Sequence, residues 1–136
     1  MNEVTDIFDA EQVNVTVPAD IVYISTIRSC AGSIGVRCDL TIDAIEDLRL
    51  AVSEACGILL SLVEKPSSLR ARFVILDHAL GFEATVVGPD SQKLTPLDQS
   101  GLGWVILTAL VSELDSSTDE GSKSISFSML RESVSC

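Results

Sequence analysis

The chain has 136 residues, 46% of them apolar and 21% charged, which suits one globular domain with its own core rather than a disordered segment. A formal net charge of -11 argues against binding phosphate backbones or anionic membrane surfaces, and favours either plain solubility or a basic protein partner. Four cysteines without a CxxC pair, and a single histidine (His78) in an expected turn, give a zinc site no support.

Residues 1–11 read as a loose acidic tail without Lys or Arg, unlike a signal peptide. No apolar run is long enough for a bilayer, so the cytoplasm is the expected location. A single domain is expected over 12–133. Its first strand is marked by Val13, Val15 and Val17 alternating with polar residues up to Pro18. Asp20 can cap a helix with the apolar stripe Ile21, Ile24, Ile27, Ala31 and Ile34, and Gly35 is its expected stop. Thr41 is the expected cap of a longer helix. Ile45, Leu48, Val52, Ala55, Leu59 and Leu62 keep helical spacing along it until Pro66 forces an end near Glu64. Cys30 and Cys56 fall on apolar helix faces, where a thiol acts as a small core side chain.

Leu69, Ala71, Phe73 and Ile75, then Phe82, Ala84 and Val86, predict two strands joined by a short connection over 77–81. Residues 88–100 read as a loop. Gly101-Leu102-Gly103 opens a third helix with Leu107, Leu110, Val111 and Leu114 on its buried face. Residues 115–122 are polar, compatible with a weak strand and a turn at Gly121, and Ile125, Phe127 and Met129 mark the last strand. The order predicts a two-layer α/β (α+β) sandwich: a mixed, mostly antiparallel sheet with three helices on one face.

Two segments could carry chemistry. Leu50-Ala51-Val52-Ser53-Glu54-Ala55-Cys56 lies in the long helix, and Ser100-Gly101-Leu102-Gly103-Trp104 opens the third, where N–H groups of a GxG turn can cradle an anion. Together, in this order, they resemble the GHKL (Bergerat-like, histidine-kinase-like) ATPase fold, and more narrowly the RsbW/SpoIIAB-type anti-sigma serine kinases. The likeness runs from Val13 to about Met129. It implies an ATP- and Mg²⁺-dependent kinase in which Glu54 is the general base and Gly101 and Gly103 contact phosphate. The Asn expected one turn after Glu54, a Mg²⁺ ligand, is Ile58, which offers no oxygen. The adenine-anchoring Asp of the family's D-x-G falls on Gly88 of Gly88-Pro89-Asp90, and sliding the register by two puts Asp90 there instead. The loop that follows is short, with Lys93 as its one candidate phosphate contact.

These departures imply weak nucleotide binding or none, so no cofactor is expected, although an intact site would use ATP and Mg²⁺. Glu54 then reads as an ordinary helical carboxylate, with Arg49 or Lys65 as possible partners. The resemblance implies a homodimer whose partners are a sigma factor and a STAS-domain anti-anti-sigma protein, not nucleic acid or membrane. It places Ile24 where the family has a partner-contacting Arg. Arg28, one turn on, could substitute or could be a solvated cation. Trp104 could anchor an interface or fill core. Three functions stay open: sequestration of a sigma factor by protein contact, an active serine kinase, and an adaptor that shares only the fold.

Overall fold

The computed structural model describes residues 11–88 and 96–131. Its elements are β1 (Glu11–Pro18), a 3-10 turn (Ile21–Tyr23), α1 (Ile24–Arg37), α2 (Ile42–Leu62), β2 (Ser68–Ile75), β3 (Ala79–Val87), α3 (Leu102–Leu110), β4 (Ser112–Asp119) and β5 (Ser122–Leu130). The strands form one five-stranded sheet in the order β1-β2-β3-β5-β4. Every pairing is antiparallel, where a mixed, mostly antiparallel sheet was expected. The reason lies in the last two strands. Crossing over through α3 sets β4 parallel in direction to β3, but β5 folds back through the Glu120-Gly121 turn and slots between them. Gly121 supplies the positive φ (68°) that this tight turn requires.

Period-two alternation then sorts the sheet's faces. Leu69, Ala71 and Phe73, Leu80, Phe82, Ala84 and Val86, and Ile125, Phe127 and Met129 are buried on one face. They meet Ile27, Ala31, Leu48, Val52, Ala55, Leu59 and Leu107 of the helices in a single cluster. Direct cross-strand partners Phe73–Phe82 and Phe82–Phe127 stack with ring centroids 5.0 Å apart in each pair. Asn14, Arg70, Arg72, Glu83, Thr85, Ser124 and Ser126 occupy the opposite, polar face.

The helix starts follow the sequence. Asp20 accepts the Val22 N–H at 3.1 Å, and Thr41 Oγ1 accepts the Ala44 N–H at 3.1 Å. Their ends do not all follow it. Ile21 belongs to the 3-10 turn and is 74% exposed, so the core stripe begins at Ile24. Gly35 does not stop α1; the helix runs on to Arg37 and ends where Asp39 takes φ 58°. α2 ends at Leu62, two residues before the expected Glu64. α3 ends at Leu110, and Val111 and Leu114 lie beyond it, packed against the core from the start of β4. The polar stretch expected to be a weak strand is an eight-residue edge strand, with a register shift between Ser112 and Asp115.

Arg131 ties the end of β5 to two turns: its Nε donates to the Cys38 carbonyl at 3.2 Å and its Nη1 to the Leu76 carbonyl at 2.7 Å.

Cys56 is fully buried on α2, and burial pushes its thiol up to about 12. The acid form is therefore favoured by the fold. Stability from this group is complete below the unfolded thiol's pKa of about 8.5, and is lost as pH rises toward the folded value, by up to about 1.4 kcal/mol per pH unit. Urea denaturation at pH 7.5 and pH 10 should show that loss, and Cys56→Ala should flatten the dependence. An unchanged slope in the variant would remove the thiol as its cause.

Candidate functional site

α2 is the middle helix of the layer, with α1 along one flank and α3 along the other. Glu54 and Ile58, four residues apart and so on one face, both reach the flank that meets α3. Gly103 lies against them. A Cβ on Gly103 would stand 3.1 Å from Ile58 Cδ1 and 3.2 Å from Glu54 Oε2. Glycine at this position thus permits the two helices to approach. Gly101, the cap residue of α3, is held by a different contact: a Cβ there would lie 3.2 Å from the Asp98 carbonyl oxygen. The first intrahelical bond runs from the Val105 N–H to the Gly101 carbonyl at 3.1 Å, and no side chain caps the N–H groups before it.

A cleft of about 260 Å³ opens beside this turn, lined among others by Ile58, Ser61, Leu97, Asp98, Gly103 and Trp104. Its polar groups are few. Ser61 donates its hydroxyl to the Ile58 carbonyl at 2.6 Å. Asp98 Oδ1 accepts the Ser100 hydroxyl at 2.6 Å and the Ser100 N–H at 3.0 Å. Those two bonds hold its carboxyl below the usual range, so it is anionic at neutral pH. The sequence does carry a signal for this group. Asp98-Gln99-Ser100 is an Asx-turn pattern directly ahead of the GxG.

The remaining expected residues fall as follows. Glu54 is half-buried and makes no ion pair among the described residues. Arg49 pairs instead with Glu46, at 3.4 Å. Trp104 is 8% exposed and belongs to the core, not to an exposed anchor. Ile24 is buried in the same core, so its side chain is not presented to a partner. Arg28 is half-buried on the α1 flank of α2, away from the GxG turn. Gly88 is buried, and its N–H donates to the Gly121 carbonyl at 2.7 Å, which fixes the end of β3 against the β4–β5 turn. Pro89, Asp90 and Lys93 lie outside the described residues. Among the described residues no group of three or more His, Cys, Asp or Glu side chains is placed to hold a metal ion. One buried charge went unread in the sequence: Lys123, on the helix-facing side of β5, opposite Val86. Its parity with Ile125 was the available sign.

No protein-family model matches the chain. Serine-protein kinase RsbW of Bacillus cereus strain AH820 is 26% identical over 132 residues, covering 82% of this chain and 80% of that protein. RsbW of Halalkalibacterium halodurans is 26% identical over 131 residues, with 82% and 78% covered. The chain is thus similar in sequence to the RsbW proteins over most of its length. Its fold agrees: a crystal structure of the RsbU and RsbW domains of a Mycobacterium tuberculosis protein matches with a TM-score of 0.70 at 18% identity. That match covers 88% of this chain but only 32% of the solved one, so this chain spans about a third of that two-domain structure. Among the described residues no helix is long and apolar enough to cross a membrane.

Proposed function

We propose that this RsbW relative is an anti-sigma-type regulator that holds its partner by protein contact, and that its nucleotide site does not support phosphoryl transfer. One observation carries the reading: the hydrocarbon of Ile58 packs toward Gly103 at the GxG turn, beside Glu54. The resemblance puts the family's Mg²⁺ ligand at that position, and Mg²⁺ takes only oxygen in near-octahedral geometry. Asp98 adds a second mismatch. A carboxylate held ionised in the cleft beside the turn repels the phosphates that a helix N-terminus would otherwise attract. ATP with Mg²⁺ therefore does not fit this donor set, and Glu54 has no positioned phosphoryl donor to serve.

A sigma factor is the partner class the family implies, with a STAS-domain protein as its competitor. Binding by surface shape and charge needs no turnover, so it survives loss of the nucleotide.

The relatives' name, serine-protein kinase, together with the retained Glu54 and GxG turn, supports a second reading as a working kinase. Calorimetry decides between them. Mg-ATP titrated to millimolar concentration should give no saturable heat. Tight, Mg²⁺-dependent binding that disappears in Glu54→Ala would overturn the proposal in favour of the kinase. A purified sigma factor that fails to bind the chain would remove the anti-sigma assignment.

A further inference from the structure

α3 differs from the other two helices in what it turns outward. Its nine residues include no charged side chain, although 21% of the chain is charged. Trp104 and Leu107 are buried in the core, yet Leu102 is 77% and Val105 50% exposed. Those two stand three residues apart and so share one outer face. One exposed leucine needs no explanation, but a helix that is apolar on its outer side as well as its inner one is usually a covered helix.

This face begins at the cleft of about 260 Å³ beside the GxG turn. Ile58, Leu62, Leu97 and Trp104 give the cleft apolar walls, and Asp98 is its one charged residue among the described residues. Both Ser100 bonds fall on Asp98 Oδ1. Oδ2 stands beside Gly101, 3.5 Å from where a Cβ would be, and a carboxylate has lone pairs for further donors. Glu54 brings a second carboxylate to the same turn, its Oε2 standing 3.2 Å from where a Cβ on Gly103 would be, and it has no ion pair among the described residues. The dipole of α3 sets about half a positive charge there, too little to offset two carboxylates.

We infer that this cleft and the outer face of α3 form one docking surface for a basic segment of a protein partner. A Lys or Arg of that segment enters the cleft with its head group on Asp98, and an apolar neighbour rests on Leu102 and Val105. The match is chemical. The long stem of a basic side chain lies well on apolar walls, and its charged end makes a charge-assisted bond to a carboxylate. A net charge of -11 steers a basic segment to the surface and repels a second copy of this chain from it. The space beside the GxG turn thus takes a cation where the phosphates of a nucleotide are repelled. The site deepens the partner-binding reading above and rests on it for its biological use.

The test uses the full chain, isotope-labelled for NMR, and the peptide acetyl-Leu-Lys-Lys-Leu-amide. Saturable shifts are expected at the backbone amides of Ser100, Gly101 and Gly103 and at the methyl groups of Leu102 and Val105. Apparent affinity should fall about tenfold in Asp98→Asn, the equivalent of one charge-assisted bond, while the Asn oxygen still accepts from Ser100. It should fall also in Leu102→Ala, and be lost when both Lys of the peptide are Gln. The Gln peptide keeps the test decisive should a variant unfold. No saturable shift, or equal shifts around Asp43 and Asp119, would overturn the site as bulk charge attraction. Movement of the same amides with protein concentration alone, and none with peptide, would make the face a contact between copies and overturn the basic occupant. A second arm separates this site from the functional reading. A sigma factor that binds the wild type and the Asp98→Asn/Leu102→Ala double variant equally sinks the docking surface and leaves the function standing. A wild type that binds the lysine peptide at this cleft but no sigma factor does the reverse.

Discussion

Replacing Phe82 with alanine should cost about 3–5 kcal/mol, the range for deleting a buried aromatic ring. The sheet has three stacked phenylalanines, and this is the middle one. It lies on the central strand β3, 2% exposed, with Phe73 and Phe127 as its direct partners across the two ladders. Each ring pair adds about 0.5–1.5 kcal/mol to the burial term, so losing the middle ring removes two such contacts and leaves a cavity. Aromatic residues are only 4% of the chain, so few other large rings can move in to fill the gap. Domains of this size are stable by about 5–15 kcal/mol, so the variant should be near its unfolding threshold at 37 °C. Urea denaturation checks this against Glu83→Ala, the next residue along. Glu83 points to the open face and loses only a half-exposed ion pair with Arg72 at 3.4 Å. That variant should cost under about 1 kcal/mol. Equal costs for the two neighbours would mean that the face assignment of β3 is wrong.

The strands that hold these rings were legible because burial on one face writes a period of two into the sequence, as in Phe82, Ala84 and Val86. The start of α2 was legible because Thr41 meets a chemical need of the backbone. Legibility fails where one residue type serves two needs. Leu107, Leu110, Val111 and Leu114 fit a helical period, yet only the first two are in α3, since an apolar run crossing from helix to strand keeps both patterns for a few residues. β4 gave almost no signal, because an edge strand with mostly exposed side chains needs no alternation. At the site, Glu54, Ile58 and Gly103 could be singled out by motif, and the structure brings the three into contact. Asp98-Gln99-Ser100 marks an Asx turn, but the pattern does not say that the turn packs beside the GxG, and so Asp98 escaped.

Glycine shows the same ambiguity, and three alanine substitutions should resolve it with opposite signs. In a helix interior Gly→Ala gains about 0.5–1 kcal/mol from backbone entropy, so packing decides each case. At Gly57, in the middle of α2, a Cβ would meet nothing within 4 Å, and Gly57→Ala should stabilise by that amount. At Gly103 the nearest atoms are Ile58 Cδ1 at 3.1 Å, then Glu54 Oε2 and Ile58 Cγ1 at 3.2 Å. The two side-chain ends can swing away and the Cγ1 stem need give by only a few tenths of an ångström, so Gly103→Ala should lie within about 1 kcal/mol of the wild type. At Gly35 the Cβ would stand 2.9 Å from Ile45 Cγ1, on the stem of a β-branched side chain that has little rotamer freedom in a helix. Relief there requires α1 and α2 to move apart. Overpacking of this kind costs about 1–3 kcal/mol, enough to outweigh the entropic gain, and Gly35→Val should cost more still. The decisive measurement is the double variant Gly35→Ala/Ile45→Ala. If the stem of Ile45 is the obstacle, the double variant should be more stable than the sum of the two single effects, by about 1 kcal/mol or more. Strict additivity would show that Gly35 is there for some reason other than the closeness of the two helices.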